Sequence, residues 1–392
     1  MGRKMNEFPL KQWAIFKDVS WLKGIKVVEV TTGASAPLAG RILAELGAEV
    51  VKVESGAKID VNRARVRRPT DPADYPNGEA FQLLHETNAG KKSVTLNLKT
   101  EEGKKLFKML LSDSDVFIEN FVPGWLDRLD MSISTLREEF PELVILSASG
   151  YGQNGPLSTQ RAYAPVMTSL AGVEGLIGYQ DGEVMGCSAL ALADLNCSFM
   201  AVFLIMSGLI GRKDTGCGMH IDLSQIEASV SMIGEAFVEE QLSLNSTGPR
   251  GNVGPNGEEW SLTRAEGNDV WVASTSALSE ERNDIVDEKS RPSREELLAV
   301  LRNKGAEAVP VLTPDEVAAD ERFNKSGFTQ QVTHPHPLVG QLDITSVPWK
   351  IDYVIPRVLG AAPLLGNAND EILGRYLSKE ELETYELEGV LK

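Results

Sequence analysis

Apolar residues recur along the first part of the chain in two alternating rhythms. "IKVVEVTT" (25–32) is a short β-branched run. "APLAGRILAELGAEVVKVES" follows, with Leu38, Ile42 and Leu46 on one helical stripe, a stop at Gly47 and a second strand at 49–54. That is a βαβ unit. "KSVTLNL" (92–98) predicts a third strand, and "TEEGKKLFKMLLSDS" a helix capped by Thr100 with Glu101 and Glu102 in its first turn. "DVFIENF" is a strand, "MSISTLREEFP" a short helix and "LVILSASGYG" a strand. This alternation predicts an α/β domain built on a parallel sheet.

The rhythm then changes. Helices are predicted at 163–176, 194–212 and 222–244. "STGPRGNVGPNGEE" (246–259) is dense in Gly, Pro and Asn and reads as a loop. "DVWVAST" (269–275) and "AVPVL" are strands, "ELLAVLRNKG" and "TPDEVAADERF" helices. "APLLGNANDEILGRYLSKEELETYE" gives a turn, a helix and a second short helix. The expected organisation is a large α/β domain over 1–212, linker helices and a smaller mixed lobe over 213–325, and a tail over 326–392 that returns to the large domain.

Composition adds limits. The chain has 392 residues, 42% hydrophobic and 24% charged, as in a soluble globular protein. A net charge of −17 disfavours nucleic acid or an anionic membrane as the main partner, but not a locally basic pocket. Cys187, Cys197 and Cys217 are spaced for neither a disulfide framework nor a zinc site, which points to a reducing cytoplasm. The first residues hold no apolar core of signal-peptide length, and "MGRKMN" lacks the Ser or Thr of a myristoylation signal. The longest apolar run, near 199–211, is too short for a bilayer span and reads as a buried helix.

The candidate chemistry is spread over several stretches. "TTGASAPLAG" has Gly33 and Gly40 but not the glycine spacing of a dinucleotide fingerprint, so a nicotinamide site is excluded. Its turn is either an ordinary βα connection or a source of amides for another phosphate-bearing ligand. "RARVRRP" (63–69) and "NAGKKS" (88–93) are local basic clusters, either solvated faces or an anion site. Asn120 and Phe121 end a strand, where an adenine could stack and hydrogen-bond. Trp125, Tyr151, Tyr163 and Met167 fit an apolar pocket or the core equally well. His85, His220, His334 and His336 show no triad or metal spacing, and "HPHP" (334–337) reads as a loop. "LALADLNCS" (190–198) places Asp194 ahead of an apolar helix, as an N-cap, a nucleophile or both.

Together these stretches resemble the family III CoA-transferases, the group of formyl-CoA transferase and carnitine CoA-transferase. The resemblance runs in family order through "LKGIKVVEVTT", "LAELGAEVVKVES", "NAGKKSVTLNLKTEEGKKLF", "DVFIENFVPGWLDRL", "SASGYGQNGP", "ALADLNCS", "TGCGMHIDLSQIEA" and "AAPLLGNANDEIL". It implies an open-ring fold with a Rossmann-like large domain and a smaller mixed lobe, interlocked with a second copy as a dimer. It places the catalytic carboxylate on Asp194. It places coenzyme A contacts on Gly33, Ala34, Ser35, Lys91, Lys92, Asn120, Phe121, Arg128 and Arg161.

The implied reaction moves CoA from an acyl-CoA donor, succinyl-CoA being common, to a carboxylic acid acceptor. It proceeds through an aspartyl-CoA thioester and needs no metal. An ionised Asp194 would be favoured by amides at a helix N-terminus. The chain departs from the family pattern in its candidate lid, which lacks consecutive glycines, and in its shortened small lobe. It also departs at Ala164, where an acid is common, and at Ser198, where glycine is usual. Two rival readings are a partner subunit of a heteromeric transferase and an α-methylacyl-CoA racemase-like enzyme. "YAPVMTSLAG" lacks the histidine of the latter.

Overall fold

The computed structural model describes residues 15–17, 19–64, 77–79, 81–179, 182–186, 191–242, 248–254, 257–275 and 291–392. These residues group into two compact units. The first takes the described residues within 1–171, 189–232 and 321–392, and the second those within 172–188 and 233–320.

The first unit opens with β1 (Ile15–Lys17), β2 (Lys26–Val30), α1 (Ser35–Glu45) and β3 (Glu49–Glu54). Then come α2 (Gln82–Asn88), β4 (Lys92–Thr95), α3 (Glu101–Ser112), β5 (Val116–Glu119), α4 (Ile133–Glu139) and β6 (Val144–Ser149). It continues with α5 (Ala164–Leu170), α6 (Leu192–Thr215), β7 (His220–Ser224) and α7 (Gln225–Ser231). Six strands form one parallel sheet in the order β4-β3-β2-β5-β6-β7. The strand order reverses between β2 and β5. Ligands of open α/β sheets bind outside the carboxyl ends of the strands at such a reversal.

The period of two along each strand divides the core. Val27, Val116, Ile118, Val144 and Leu146 pack on one face with α1 and α6. Val28, Phe117 and Ile145 pack on the other face with α3 and α4. Thr100 caps α3 by accepting from the Gly103 amide, and Ser132 caps α4.

In the second unit, α8 (Gly234–Leu242) precedes the antiparallel sheet of β8 (Ser261–Arg264), β9 (Trp271–Ser274) and β10 (Ala308–Pro310). Its helix α9 (Arg294–Asn303) buries Leu297 and Leu301 against Val272 and Ala308. A short α10 (Pro314–Ala319) follows.

The chain then rejoins the first unit with α11 (Glu321–Ser326), the hairpin of β11 (Thr329–Thr333) and β12 (Gln341–Thr345), and β13 (Val354–Pro356), which pairs with β1. A π-helical turn at Asn369–Leu373 and α12 (Lys379–Leu387) end it. Asn369 Oδ1 accepts from the Thr95 amide at 2.9 Å, and Val390 O from the Asn97 amide at 2.7 Å. Buried Arg41 of α1 binds Glu45, Glu86 and the Thr345 carbonyl, so one guanidinium ties α1 to α2 and the hairpin.

Several expected elements are redrawn. The helix expected at 222–244 is a strand, β7, and two helices, because 220–224 completes the sheet edge beside β6. The helix at 163–176 stops at Leu170 and resumes as a 3-10 turn at Glu174–Leu176. "TPDEVAADERF" breaks at Asp320 into α10 and α11. The hairpin over 329–345 has no counterpart among the expected elements.

Helix α6 has 24 residues, so the expectation of a run too short for a bilayer gives way. Among the described residues it is the one helix long and apolar enough for a span. It buries Cys197, Ala201, Ile205 and Leu209 in the core it shares with α1, as the core helix of a folded domain does.

Candidate functional site

The turn after β2 lies at the strand-order reversal and is held from two sides. Gly33 adopts φ +80°, a left-handed conformation that glycine takes without a Cβ penalty. Asn120, just past the end of β5, clamps Thr32: its Oδ1 accepts from the Thr32 amide at 2.9 Å and its Nδ2 donates to the Thr32 carbonyl at 2.8 Å. Asn62 Nδ2 donates to the Gly33 carbonyl at 2.7 Å, and Asp60 Oδ1 accepts from the Gly33 amide at 3.4 Å. Helix α1 then starts from Ala34, which makes no side-chain cap hydrogen bond. A ready anion-binding geometry results, with helix-end amides and the positive end of the macrodipole at the mouth of the sheet.

Beneath the turn is a buried charge network. Lys52 Nζ lies 2.9 Å from Asp60 and 3.7 Å from Glu29, and donates to the Thr31 carbonyl at 2.9 Å. Burial opposes the Lys52 charge, but Asp60, Glu29 and Glu54 hold its pKa above the usual lysine value. Burial likewise pushes Asp60 up, and Lys52 and the Asn62 and Gly33 amides bring it below the usual range.

Lys91, expected at a CoA phosphate, is fully buried in this network. It binds Glu29 at 2.7 Å, the Pro37 carbonyl at 2.6 Å and Asn88 Oδ1 at 3.1 Å. Burial takes its pKa down to about 8, with Glu29 offsetting only part of that. Lys92 points elsewhere: it pairs with Glu49 at the start of β3 and with Glu371, at the edge where the strands begin. The structure therefore brings Lys91 under the turn and leaves Lys92 away from it.

Arg63, from the basic stretch 63–69, is also internal. It binds Glu54 at 2.9 Å, Glu79 at 2.8 Å and the Pro363 carbonyl at 2.6 Å. Arg65, Arg67 and Arg68 lie outside the described residues, as do Cys187 and parts of the candidate lid at 246–259.

Phe121 sits beside the clamped turn. Its ring is 4.8 Å from that of Trp125, and Lys58 Nζ lies 5.5 Å from its centroid. Buried Glu119 orients the pair, accepting from the Phe121 amide at 2.9 Å and from Trp125 Nε1 at 2.6 Å. Burial raises the Glu119 pKa, and these donors offset part of the rise. A half-buried ring under a cation, next to an amide clamp, suits a purine. Arg128 follows on an exposed 3-10 turn, and exposed Arg161 precedes α5.

Asp194 is not the N-cap expected from its place before the helix. Helix α6 begins at Leu192 with Ala191 as cap, which puts Asp194 at the third position of the first turn. Its carboxylate instead accepts from Gln225 Nε2 at 2.8 Å. Burial raises the Asp194 pKa and the Gln225 bond lowers it in part, so helix amides do not keep this acid in the usual range. The neighbouring Cys197 thiol is pushed up to about 12 by burial and by the Asp194 charge, which removes it as a nucleophile.

Beside Asp194, Ala193 joins Ala164 and Met167 in an apolar cluster flanked by Tyr151, Ala162 and Ile226. Of the apolar-pocket candidates, Tyr151 and Met167 are in this wall, whereas Tyr163 is 68% exposed.

Sequence reasoning missed Gln225, Asp60, Asn62 and Glu119. Gln225 lies within "HIDLSQIEA", a stretch singled out for resemblance but given no role. Asp60 and Asn62 act on the Gly33 backbone through tertiary contacts that no spacing announces, and Glu119 acts locally, on the Phe121 amide and the Trp125 indole. The histidines also surprise: the fold sets His85 and His334 with ring centroids 5.0 Å apart, next to Glu79. Among the described residues no group of three or more His, Cys, Asp or Glu side chains is arranged to hold a metal ion.

A family model described as CoA-transferase family III matches residues 22–283 and 256–369. A succinate–glutarate CoA-transferase of Agrobacterium fabrum is 32% identical over 235 residues, 60% of this chain and 58% of that protein. The match thus spans little more than half of that relative. A formyl-CoA:oxalate CoA-transferase of Shigella sonnei is 27% identical over 407 residues, 90% of this chain and 94% of that one. A crystal structure of a CAIB/BAIF family protein from Brucella suis superposes with a TM-score of 0.78 at 26% identity, over 92% of this chain and all of the other.

Proposed function

The chain belongs to CoA-transferase family III, and on that premise we propose that it moves CoA from an acyl-CoA thioester to a carboxylic acid with Asp194 as covalent nucleophile. The observation that carries this reading is the Asp194 carboxylate, raised in pKa, fixed by Gln225 and bordered by an apolar wall. The clamped turn and Phe121 supply the surface for CoA, with the helix-end amides toward phosphate and the ring toward adenine. Gly33, Ala34, Ser35, Asn120 and Phe121 are the contacts this geometry supports best.

In the proposed chemistry the Asp194 carboxylate attacks the donor's thioester carbonyl and expels CoA thiolate, leaving a mixed anhydride. The thiolate attacks the aspartyl carbonyl, which frees the donor acid and leaves an aspartyl-CoA thioester. The acceptor carboxylate then displaces the thiolate to form a second anhydride. Thiolate attack at the acceptor's carbonyl yields the new acyl-CoA and restores Asp194. Each step exchanges acyl bonds without a proton being lost to a base. The apolar wall limits water, which would hydrolyse either anhydride.

Succinyl-CoA is the donor we would test first, with dicarboxylic, hydroxy and aryl-substituted acids as acceptors, in a cytoplasmic setting. A homodimer belongs to the same reading. Leu195, Phe199, Phe203 and Ile210 of α6 are 40–70% exposed in the single chain, an apolar stripe that a second copy would cover.

The deciding experiment incubates the protein with acyl-CoA thioesters, traps with hydroxylamine or borohydride, and maps the adduct by mass spectrometry. The expected result is modification of Asp194. An active Asp194→Ala protein, or no adduct with any thioester, would end the reading. Deuterium wash-in at Cα would favour racemisation instead. A purified chain that transfers CoA only with a second polypeptide would favour the heteromeric form.

A further inference from the structure

Resting on Asp194 as nucleophile, we infer that Ser198 is a positioning residue that fixes the carboxylate helix against the CoA-binding turn. Ser198 lies one turn beyond Asp194 on α6 and is fully buried. Its hydroxyl stands 2.7 Å from the carbonyl of Ser35, the first residue of α1, and 2.6 Å from the carbonyl of Asp194 itself. One hydroxyl proton is thus shared between the first turns of the two helices. Those two turns carry the two halves of the proposed site: the carboxylate on one, the end of the phosphate-binding turn on the other.

The seam around Ser198 shows why the hydroxyl is there. Ala36, Ala39 and Leu43 of α1 and Cys197, Ala201 and Ile205 of α6 lie in one buried cluster of mostly small side chains. Packing alone would be served by alanine at 198, since a polar atom buried in such a seam needs partners to offset its desolvation. The partners it has are backbone carbonyls at the two functional turns. Small residues let the helices approach, and the hydroxyl sets the register at which they stop. Asp194 is thereby held at a defined distance from the place where the thioester of a CoA seated on the turn would arrive. Bonding to the carbonyl four residues back also bends a helix locally, which would tune the angle of its first turn.

The consequence is a separation of binding from chemistry. CoA contacts belong to the α1 turn and to Phe121, so loss of the hydroxyl leaves them intact. What moves is the carboxylate relative to the thioester carbonyl. Ser198→Ala should therefore lower kcat, and the single-turnover rate of aspartyl adduct formation, by about tenfold or more, while KM for acyl-CoA stays within about twofold. Ser198→Cys, a weaker donor of similar volume, should fall between the two, and so should Ser198→Thr if its extra methyl is accepted.

The test measures kcat, KM and adduct-formation rate for wild type, Ser198→Ala and the conservative variants, with melting curves alongside. A kcat loss at constant KM, partly restored by a hydroxyl or thiol, supports the assignment. Unchanged kcat in Ser198→Ala overturns it, as does a parallel change in kcat and KM that follows loss of melting temperature. An active Asp194→Ala protein is a different failure, that of the underlying reaction.

Discussion

Gln225 and Asp194 form a single directed contact, Nε2 to Oδ1 at 2.8 Å, that ties the first residue of α7 to the first turn of α6. Burial raises the Asp194 pKa, and this bond is what opposes the rise. A nucleophilic carboxylate must be ionised, so the acid limb of the kcat profile is expected above the ordinary range of an aspartate. Gln225→Leu removes the donor from the charged form and should move that limb up by about one further pH unit. A pH–rate profile of the variant checks this, and an unmoved limb would show that Gln225 does not act on Asp194.

The same raised pKa has a sign for stability. A carboxyl whose folded pKa lies above its unfolded value keeps its proton in the native state after the unfolded chain has released it. The favourable contribution is complete below the unfolded pKa and is lost as pH rises through the folded pKa. At neutral pH the ionised group therefore strains the fold. Asp194→Asn, which still offers Gln225 an oxygen, is expected to melt higher than wild type at pH 7 while losing transfer activity by about a thousandfold. The gap in melting temperature should shrink toward pH 4. Calorimetry across that range, with parallel assays, measures both effects.

Much of the frame was legible in the chain. The βαβ rhythm, the Thr100 cap and the strand at 49–54 follow from periodicity and capping rules, because those elements are stabilised locally. "HIDLS" is a strand because β6 offers an edge to pair with, and five residues followed by a helical stretch do not announce that. Basic residues misled for a related reason. A lysine or arginine in sequence reads as solvated or ligand-bound, yet Lys91 and Arg63 are internal cations whose partners, Glu29, Glu54 and Glu79, come from other elements. Asp194 was legible as an acid in an apolar setting. Its partner Gln225 was not, since 31 residues separate them.

Asn120 makes a prediction about binding alone. Its amide pairs with both the N–H and the C=O of Thr32, so it shapes the turn that receives CoA. Asn120→Ala frees that backbone without touching Asp194. KM for acyl-CoA and Kd for free CoA should each rise by about tenfold, with kcat at saturation nearly preserved. Titration calorimetry with CoA reads the affinity directly. A fall in kcat at unchanged KM would contradict the clamp.

Gly40 tests whether the network beneath the turn sets its position. A Cβ at residue 40 would fall 1.8 Å from Glu29 Oε2 and 3.2 Å from Lys91 Nζ. Glu29 is fully buried, and its Oε1 is held by Lys91 at 2.7 Å and by Thr31 Oγ1 at 2.9 Å. Gly40→Ala must push the carboxylate off its lysine or part α1 from the sheet, and should cost about 3 kcal/mol. Gly211 in α6 is the control, because a Cβ there meets only the Met219 Cε at 3.4 Å. Gly211→Ala should be neutral or gain up to about 1 kcal/mol from reduced freedom of the unfolded chain. Urea denaturation of both variants measures the difference. If Gly40→Ala proves as stable as Gly211→Ala, Glu29 can leave its lysine at little cost and the buried pair does not hold the turn in place.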